Sequence, residues 1–555
     1  LLPPPSPSPS FVAMKPLLLA LLSLSGSLAA TERPTYDLVI YGGTSAGFTA
    51  AIQAAKLGKS VVLLEPTAHI GGINIEGLGG TDIDNHREFQ NSPAVGGLAL
   101  EFYRRIAHAY GRQQAFDAML AAGKKEPALW RFEPHVAEQV IQDWLREYAV
   151  DQVTQAPLRE DGDAVIKDGS RLLRLVTDQG EFAGKMFLDA TIEGDLLAAA
   201  GVSTVIGRES NAQYGETKNG IRAETTHQQF NVAVDPWRVP GNAASGLLTG
   251  ILDEPLGQPG AADHRLQAYC FRVCLTDQPA NQIPLPQPPD YDRADYELPL
   301  RYLKAGGKLY QPHATLPNQK TDLNGGSVCS HNLNGMNYGY PGGSRAERRK
   351  ILEHHRHYTQ GLFWFLAHDA EVGQIAPDLQ QAWARWGLAK DEFTDNAGWP
   401  RQFYVRDARR MVSDHVITEH HMRKVDPLPV EDPVAMAFWP PDVHNVRTIV
   451  QNGRASNEGF VFGGNDWIPF GISYRALVPK AAEATNLLTP TCPSSSHIAY
   501  GAIRIEFTFM ALGQACAVAA AQALDAGLPV QKLPYPPLRA QLLQDGQVLT
   551  LSSKP

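Results

Sequence analysis

Cysteine is scarce in this chain. Only five of the 555 residues are cysteines, and no two of them are spaced as C-x-x-C. That count and scatter exclude a disulfide scaffold, a zinc ribbon and an attached haem. Cys270 and Cys274 flank a strand-like Phe-Arg-Val stretch, where a disulfide between near neighbours would be strained. We therefore expect buried thiols.

Positive charge is also scarce. The chain has 49 Lys and Arg against 58 Asp and Glu, a formal net charge of −9. No basic stretch is present, so we expect no nucleic-acid partner. We interpret the sequence as lacking both a P-loop and a G-x-S-x-G nucleophile elbow, so we expect neither an NTPase nor a hydrolase. The histidines at 354–357 and 420–421 lack a spacing such as H-E-x-x-H, so we predict no metal site.

Long apolar runs are missing beyond the N-terminus. Residues 1–13 (LLPPPSPSPSFVA) are of low complexity and lack methionine, so we interpret them as non-native upstream sequence before a natural start at Met14. Residues 14–30 have one basic residue, a short apolar core and a small-x-small ending, the pattern of a secretory signal peptide. A buried N-terminal helix is the alternative. We expect a secreted or periplasmic mature protein with no membrane span.

What the sequence does contain is a βαβ unit at residues 36–65. YDLVIY and SVVLLEP are typical of buried strands, and AGFTAAIQAAKLGK is typical of a helix. The turn between them, YGGTSAG, has glycine at two positions of G-x-G-x-x-G, Gly42 and Gly47, but Thr44 at the central one. Glu65 follows about 20 residues later, where a carboxylate binds ribose hydroxyls and disfavours NADP. The unit predicts an adenine-dinucleotide site, with FAD and NAD both open.

The remaining chain changes character twice. A helix is predicted from Pro134, followed by two strands joined by a Gln-Gly turn and a second turn-to-helix at TIEGDLLAAAG. Residues 216–465 are rich in Pro, Asn, Gly and aromatics, and we interpret them as substrate-facing. From residue 466 the pattern predicts an apolar strand, a polar loop and a long helix of small residues.

Taken together, several segments resemble one family. They are YGGTSAGFTAAIQAAKLGKSVVLLEP, HIGGINIEGLGGTD, FEPHVAE, LDATIEGDLLAAAGVSTVIGRES, YCFRVCLT, YVRDARRM and YRALVPKAAEATNLLTPTCPSSSHIAYGAIRIE. With these pieces the chain resembles the secreted FAD-dependent oxidoreductases, flavoproteins of the two-dinucleotide-binding-domain type that are often labelled xanthan lyase-like. In that subfamily GGT is a familiar variant of GGG.

The resemblance implies an α/β fold, with a Rossmann-like FAD-binding domain of the glutathione-reductase type and a large inserted α+β substrate domain. We expect a discontinuous FAD-binding domain at 31–215 plus 466–530, a substrate or cap domain at 216–465, and a C-terminal tail at 531–555. The implied cofactor is FAD. The residues implied to bind it are Gly42, Gly43, Thr44, Ser45, Ala46, Gly47, Glu65, Gly71, Gly72, Asn74, Asp189, Ala190, Gly194, Gly513 and Gln514. Gly513 and Gln514 belong to LGQACAVAAA, where the N-terminus of the final helix is implied to point toward the flavin.

Catalytic residues are expected in two regions. His497 precedes the last helix and could take a proton from a substrate hydroxyl; alternatively, it orients its loop or bonds to the flavin. Arg504 and Glu506 alternate with isoleucines, a pattern that could place an ion pair on a strand face. Arg406 belongs to a group of arginines (with positions 409 and 410) at helical spacing, which either binds an anionic substrate or is a solvated face.

The expected reaction is oxidation of a small polar hydroxylated substrate, possibly sugar-related, by hydride transfer to flavin N5. Two alternatives stay open: a flavin-dependent, redox-neutral lyase or isomerase acting on a carbohydrate, and a carbohydrate-binding protein with a vestigial flavin fold. The sequence does not indicate the electron acceptor, the substrate, or whether FAD is held covalently.

Overall fold

The structure is a computed structural model that describes Leu1, Pro4 and residues 34–551. The predicted signal peptide, and nearly all of the segment before it, lie outside the described residues. The α-helices are α1 Ser45–Lys56, α2 Gly97–Ala109, α3 Gln113–Ala121, α4 Pro134–Glu147, α5 Asp195–Ala199, α6 Asn211–Tyr214, α7 Glu297–Lys304, α8 Arg345–His368, α9 Ala370–Ile375, α10 Pro377–Arg385, α11 His497–Ile503, α12 Glu506–Ala526 and α13 Tyr535–Gln544.

The strands are mostly short. They are β1 Tyr36–Tyr41, β2 Val61–Leu64, β3 Asp151–Val153, β4 Val165–Asp168, β5 Arg171–Thr177, β6 Gly180–Asp189, β7 Thr204–Val205, β8 Trp237–Val239, β9 Asn242–Leu247, β10 Leu275–Thr276, β11 Gln282–Ile283, β12 Gly387–Ala389, β13 Arg410–Met411, β14 Pro433–Ala437, β15 Asp442–Val443, β16 Arg447–Gln451, β17 Arg454–Glu458, β18 Val461–Phe462, β19 Phe470–Ser473 and β20 Leu487–Leu488.

One seven-stranded sheet organises the nucleotide-binding part. Its order is β3-β2-β1-β6-β5-β4, and β20 also pairs with β6. The pairs among β3, β2, β1, β6 and β20 are parallel, whereas β5 pairs antiparallel with both β6 and β4. The predicted βαβ unit, the helix from Pro134 and the Gln-Gly hairpin are all confirmed. The carboxyl ends of β1 and β6 therefore lie side by side, where a dinucleotide fold places its ligand.

Helix α12 crosses the centre of this part and packs against α1. It is buried along nearly its whole length because its sequence is apolar all round. By length and composition the helix could cross a membrane, contrary to the expectation that no such stretch exists after the N-terminus. However, 89% of its most apolar window is buried. The absence of a membrane span stays a prediction.

The apolar side chains form two main cores. The first surrounds the sheet, α1, α2, α4 and α12; Phe48 packs there against Phe102 and Trp144, with ring centroids 5.7 and 6.4 Å apart. The second lies between α7, α8 and α10 in residues 216–465, hereafter the middle segment. The first core also contains Ile417 and β14, which the predicted boundaries assigned to the middle segment. Those boundaries stay predictions.

Candidate functional site

The turn after β1 is closed by two glycines that have no room for a side chain. Gly42 has φ +106°, and a Cβ there would lie 2.6 Å from the backbone nitrogen of Thr191. A Cβ at Gly47 would overlap the carbonyl oxygen of Gly42. The turn is thus pressed against the end of β6 on one side and against α1 on the other, as a nucleotide-binding turn requires.

Thr44 explains why the central glycine is dispensable. Its φ is −73°, a value that any residue adopts, and it is the N-cap of α1. Its hydroxyl accepts a bond from the Gly47 amide (3.4 Å) and donates to the carbonyl of Ala190 (2.6 Å). The side chain therefore caps the helix and ties the first turn to the second.

Ser45 is fully buried one residue further on. Its hydroxyl donates to Glu506 and accepts a bond of 2.6 Å from Asn74. Residues 43–47 also spell G-x-S-x-G, the pattern of a hydrolase nucleophile elbow, which the sequence interpretation overlooked. The described partners of this serine are a carboxylate and an amide, and neither is the histidine that would activate a nucleophile.

Glu65 occupies the predicted position at the end of β2. It accepts hydrogen bonds from the Gly43 amide (2.6 Å) and the Thr67 amide (2.7 Å). Burial raises its pKa, although these bonds work in the opposite direction. The bond from the turn therefore fixes the orientation of this carboxylate. Glu65 also lines a cleft, which is described in the next paragraph.

A cleft with an empty volume of about 1070 Å³ lies at this edge of the sheet. One wall comes from Gly42, Thr44, Glu65, Gly72, residues 191–193 and Asp195. The opposite wall comes from the middle segment, and Arg504, Glu506 and Phe509 close one end. The middle-segment residues in the wall are Tyr340, Arg348, Leu352, Arg401, Gln402, Phe403, Tyr404 and Val405.

Other predicted cofactor residues support the turn from behind. The Gly71 amide donates to the Gly43 carbonyl (2.7 Å), so the HIGG segment packs on the turn. Asp189 accepts bonds from the Thr191 amide (3.0 Å) and the Leu197 amide (2.7 Å), and burial raises its pKa to about 6. These residues shape the second turn rather than line the cleft. The other predicted residues that do not line the cleft are Gly43, Ser45, Ala46, Gly47, Asn74, Ala190, Gly194, Gly513 and Gln514.

The predicted start of the last helix is wrong. Residues 503–506 were expected to be a strand and the helix to begin near Gly513, but α12 begins at Glu506. Gly513 and Gln514 therefore lie two turns inside it. Gly513 packs on the backbone of Ala46, and Gln514 accepts a bond from the Leu98 amide (2.9 Å). Glu506, not Gly513, is the residue that this helix presents to the cleft.

The three arginines at 406–410 do not share a helix face. Their segment is extended, and only Arg410 and Met411 pair as strand β13. Arg409 bonds to the Glu193 carbonyl and to Asp195, whereas Arg410 pairs with Glu209 at 2.6 Å. Neither lines the cleft, and Arg406 and Arg410 are fully buried, so the three arginines form neither an anion-binding helix face nor a solvated one.

Arg406 is fully buried beneath the cleft. Its guanidinium donates to the carbonyl of Ala268 and to the side chains of Asn332 (3.1 Å), Asn324 (2.8 Å) and Cys270 (3.2 Å). Burial tends to raise the pKa of Cys270, but Arg406 and His331 outweigh it and lower this pKa to about 6. Cys270 is thus an anionic partner for a guanidinium that has no described carboxylate partner. All five cysteines are free and buried, as expected.

His497 is 1% exposed and does not line the cleft. Its Nδ1 lies 3.1 Å from Asp407, and its backbone amide donates to Glu209. A buried carboxylate thus lies beside the ring, but neither ring nitrogen makes a hydrogen bond to a described residue. Proton acceptance by His497 stays a prediction, and its position favours the alternative, a role in orienting the loop.

The acidic group beside α4 resembles a metal site only at first sight. Glu133, His135, Asp391 and Glu392 present ligand atoms within 4.8 Å of one another. The ammonium group of Lys320 contacts all three carboxylates at 2.7–2.8 Å, so a cation already lies at their centre. The group is an ion cluster that joins the two cores.

The cleft fits FAD. Gly42 and Thr44 of the turn line it, the N-terminus of α1 that follows would direct the positive end of its dipole toward a diphosphate, and Glu65 would face a ribose. Glu506 is the least obvious neighbour for a diphosphate, but burial raises its pKa to about 7, which reduces its negative charge. The residues that would hold FAD are the turn, Glu65 and Gly72.

Comparison with known proteins agrees with this fit. The sequence model of a family described as FAD dependent oxidoreductase matches residues 37–542. The 4-oxocyclohexanecarboxylate 2-dehydrogenase of Sinomonas cyclohexanicum is 31% identical over 20% of this chain and 19% of that protein. The NADH:fumarate oxidoreductase of Klebsiella pneumoniae (strain 342) is 28% identical over 36% of this chain and 22% of that protein. The chain thus spans about a fifth of the length of these curated relatives.

Solved structures give only distant likenesses. L-proline dehydrogenase from P. horikoshii is 16% identical, with a TM-score of 0.24, and covers 32% of this chain and 58% of that one. T. acidophilum thioredoxin reductase is also 16% identical, with a TM-score of 0.18, and covers 29% and 36%. The assignment therefore rests on the family match, which spans most of the chain: the protein belongs to the FAD-dependent oxidoreductase family, with FAD as its cofactor.

Proposed function

We propose that the enzyme oxidises a small polar hydroxylated molecule in the cleft, and that the middle segment is a substrate domain inserted into an FAD-binding domain of the glutathione-reductase type. The observation that supports this is the composition of the cleft. One wall carries the nucleotide-binding turn, and the other carries polar side chains of the middle segment such as Tyr340 and Arg401. FAD, when bound, supplies a two-electron acceptor at its ring system.

The residues at the end of the cleft can handle the proton that oxidation of a hydroxyl releases. Glu506 lies where the cleft ends, and burial raises its pKa to about 7, in the range that suits a general base at neutral pH. Its carboxylate is held by the Ser45 hydroxyl. Glu506 is therefore our candidate proton acceptor, in preference to the enclosed His497.

The names of the curated relatives are consistent with small organic substrates. Both 4-oxocyclohexanecarboxylate and fumarate are carboxylates. Because the chain matches only about a fifth of either protein, a similar substrate class for this enzyme is part of the proposal. A sugar-related substrate and kinship with the xanthan lyase-like group belong to it as well.

The proposed function is tested by anaerobic mixing of the FAD-loaded protein with a panel of polyols, sugars and hydroxy acids. We expect lasting loss of the visible flavin absorbance with at least one of them, and its return when an electron acceptor is added. Product formation without loss of absorbance would instead support a redox-neutral lyase or isomerase. Purified protein without flavin, or sugar binding without turnover, would support a vestigial flavin fold.

Export is a separate part of the proposal. Residues 14–30 have the pattern of a signal peptide, and cleavage would leave a mature N-terminus near Ala30 or Thr31. N-terminal sequencing of the protein from a cell fraction tests this. Retention of residues 14–30 in the cytoplasmic fraction would contradict it.

A further inference from the structure

A small cavity opens from the end of the cleft. It is much smaller than the cleft and admits a group of very few atoms but no sugar ring. Tyr404, Arg504 and Glu506 line both the cleft and this cavity. Thr81 and Asp82 complete its polar lining. A substrate in the cleft could therefore reach into the cavity with one small substituent.

Two donors on residues that line the cavity lack a partner among the described residues. They are the Nε of Arg504, a residue 4% exposed, and the buried hydroxyl of Thr81. Tyr404 accepts a bond of 2.8 Å from Arg504, and burial raises its pKa, so its own O–H stays available as a donor. Buried donors without acceptors are rare and costly, and their convergence indicates a ligand rich in acceptor atoms.

Three guanidinium groups lie behind the cavity. The guanidinium carbons of Arg272, Arg406 and Arg504 lie 5.0, 5.0 and 5.9 Å from the centre of the Tyr404 ring. Arg272 is paired with Asp322 (2.5 Å), and Arg504 with Asp442 (3.4 Å).

Arg406 forms no ion pair with a carboxylate in the described part of the chain, and its Nε is also unpartnered. His444 faces the same three arginines; burial and these charges hold its pKa well below the usual value, so it adds no charge. The groups that oppose an anion are Asp82 and Glu506 in the lining, together with Asp322, Asp442 and Cys270, which pair with the three arginines. Burial raises the pKa of Asp82 and of Glu506, to about 7 for Glu506, which weakens their opposition.

We propose that this cavity is an anion subsite that binds the carboxylate of the substrate. The donors are Arg504 Nε–H, the Tyr404 hydroxyl and the Thr81 hydroxyl, and the substrate hydroxyl to be oxidised points toward Asp82 and Glu506. The substrate class is then small hydroxy acids, sugar acids included, rather than neutral polyols. This inference rests on the proposed function, which it makes more specific.

The test compares acids with their uncharged amides. FAD-loaded enzyme is titrated with glucuronate and glucuronamide, and with lactate and lactamide, and binding is followed by calorimetry and by the visible flavin spectrum. We expect the acid of at least one pair to bind at least about 10-fold more tightly than its amide. Arg504→Gln and Tyr404→Phe should each weaken the binding of the acid, by about 10- to 100-fold for Arg504→Gln. Neither substitution should change the binding of the amide. Arg504→Lys should restore part of the loss.

Arg348→Gln is the matched control. Arg348 lines the same cleft, but its donors are used by Asp195, Tyr340 and Pro341, so the preference for acids should persist. Each variant is compared at equal FAD content and after its unfolding temperature is measured; if Arg504→Gln does not fold, Tyr404→Phe decides. Equal binding of acids and amides, no binding of any acid, or an acid preference that survives both substitutions would overturn the subsite.

The two proposals fail in different ways. Flavin reduction by a neutral polyol without any acid preference would leave the proposed function standing and remove the subsite. Arg504-dependent binding of acids without flavin reduction by any hydroxylated compound would keep the subsite and remove the oxidation.

Discussion

At the scale of single residues, the nucleotide-binding turn requires glycine where a side chain would collide with the neighbouring backbone. Gly42→Ala places a methyl group 2.6 Å from the Thr191 nitrogen at φ +106°. We expect it to cost about 2–5 kcal/mol of unfolding free energy, the sum of the left-handed backbone and the overpacking, and to lower the FAD content. Urea unfolding and the FAD released by acid measure the two effects.

Gly58→Ala is the matched control for the turn. Gly58 also has positive φ, +72°, but a Cβ there meets nothing within 4 Å. Only the backbone cost of about 1–2 kcal/mol should remain, with FAD content unchanged. Equal losses in the two variants would show that close packing at Gly42 contributes nothing.

Glu506 makes stability depend on pH in a defined direction. Burial raises its pKa from 4.5 to about 7, so between these values the folded state holds a proton that the unfolded state has released. The stabilising contribution of the protonated group is therefore complete below pH 4.5 and is lost as pH rises through 7. Glu506→Gln should match wild type below pH 4.5 and exceed its unfolding free energy by about 3 kcal/mol above pH 8. A pH-independent difference would contradict the assignment.

Residue roles were predictable from sequence where they depend on local spacing. Gly42, Gly47 and Glu65 belong to one βαβ unit, in which backbone geometry fixes their relation. Arg406 was named for the wrong reason, because its environment comes from Ala268, Asn324 and Asn332, far away in the chain. The role of Thr44 as a helix cap was open to prediction, since threonine before a helix is itself a capping signal.

At the scale of elements, the contact between α1 and α12 is the tightest test of the fold. A Cβ on Gly513 would overlap the carbonyl of Ala46, which is backbone and cannot swing aside. Helix propensity alone would favour Gly513→Ala by about 1 kcal/mol. We expect a net loss of about 2 kcal/mol, together with weaker FAD binding, because α1 carries the turn. Thermal unfolding and FAD titration measure these effects.

Gly373 in α9 is a control that separates the effect of close packing from the effect of helix propensity. In α9 the nearest obstacle to a Cβ on Gly373 is the end of the flexible Gln380 side chain, which can move. Gly373→Ala should therefore stay within about 1 kcal/mol of wild type. If Gly513→Ala also stabilised the protein, the prediction would be wrong, because α12 could then move away from α1 without loss of free energy.

Helix starts were the weakest part of the prediction. Arg504-Ile505-Glu506 alternates polar and apolar residues, which favours a strand locally, yet all of these residues are buried. Alternation of polar and apolar residues indicates a strand only when one face of the segment is exposed to solvent. Here both faces are buried, and the segment is the short connection between the end of α11 at Ile503 and the start of α12 at Glu506.

At the scale of the whole molecule, Lys320 joins the two cores. Its ammonium group lies in the middle segment, at 0% exposure, and contacts Glu133 at the start of α4 as well as Asp391 and Glu392. Lys320→Met leaves buried carboxylates without a partner and should cost about 3–5 kcal/mol. Urea unfolding measures the loss. As a control, substitution of the exposed Lys308 (Lys308→Met) should change the free energy of unfolding by less than about 0.5 kcal/mol. A similarly small effect of Lys320→Met would show that Lys320 does not hold the two cores together.

The cofactor and the fold class of the nucleotide-binding part followed from sequence, whereas the far wall of the cleft did not. Tyr340, Arg348 and Tyr404 reach the cleft only through the packing of the middle segment. No local pattern marks them, because their neighbours in space are hundreds of residues away in sequence. The substrate-facing character of the middle segment was inferred from composition alone, which cannot assign positions.

The two-walled cleft has a consequence for the lifetime of the holoenzyme. A cofactor held between the turn and the middle segment is a ligand of both, so it favours the docked arrangement by mass action. Its rate of loss is then set by how often the walls part, and not by the strength of any one hydrogen bond. Arg348 of the middle segment pairs with Asp195 on the other wall at 2.6 Å, and this ion pair slows the separation of the two walls.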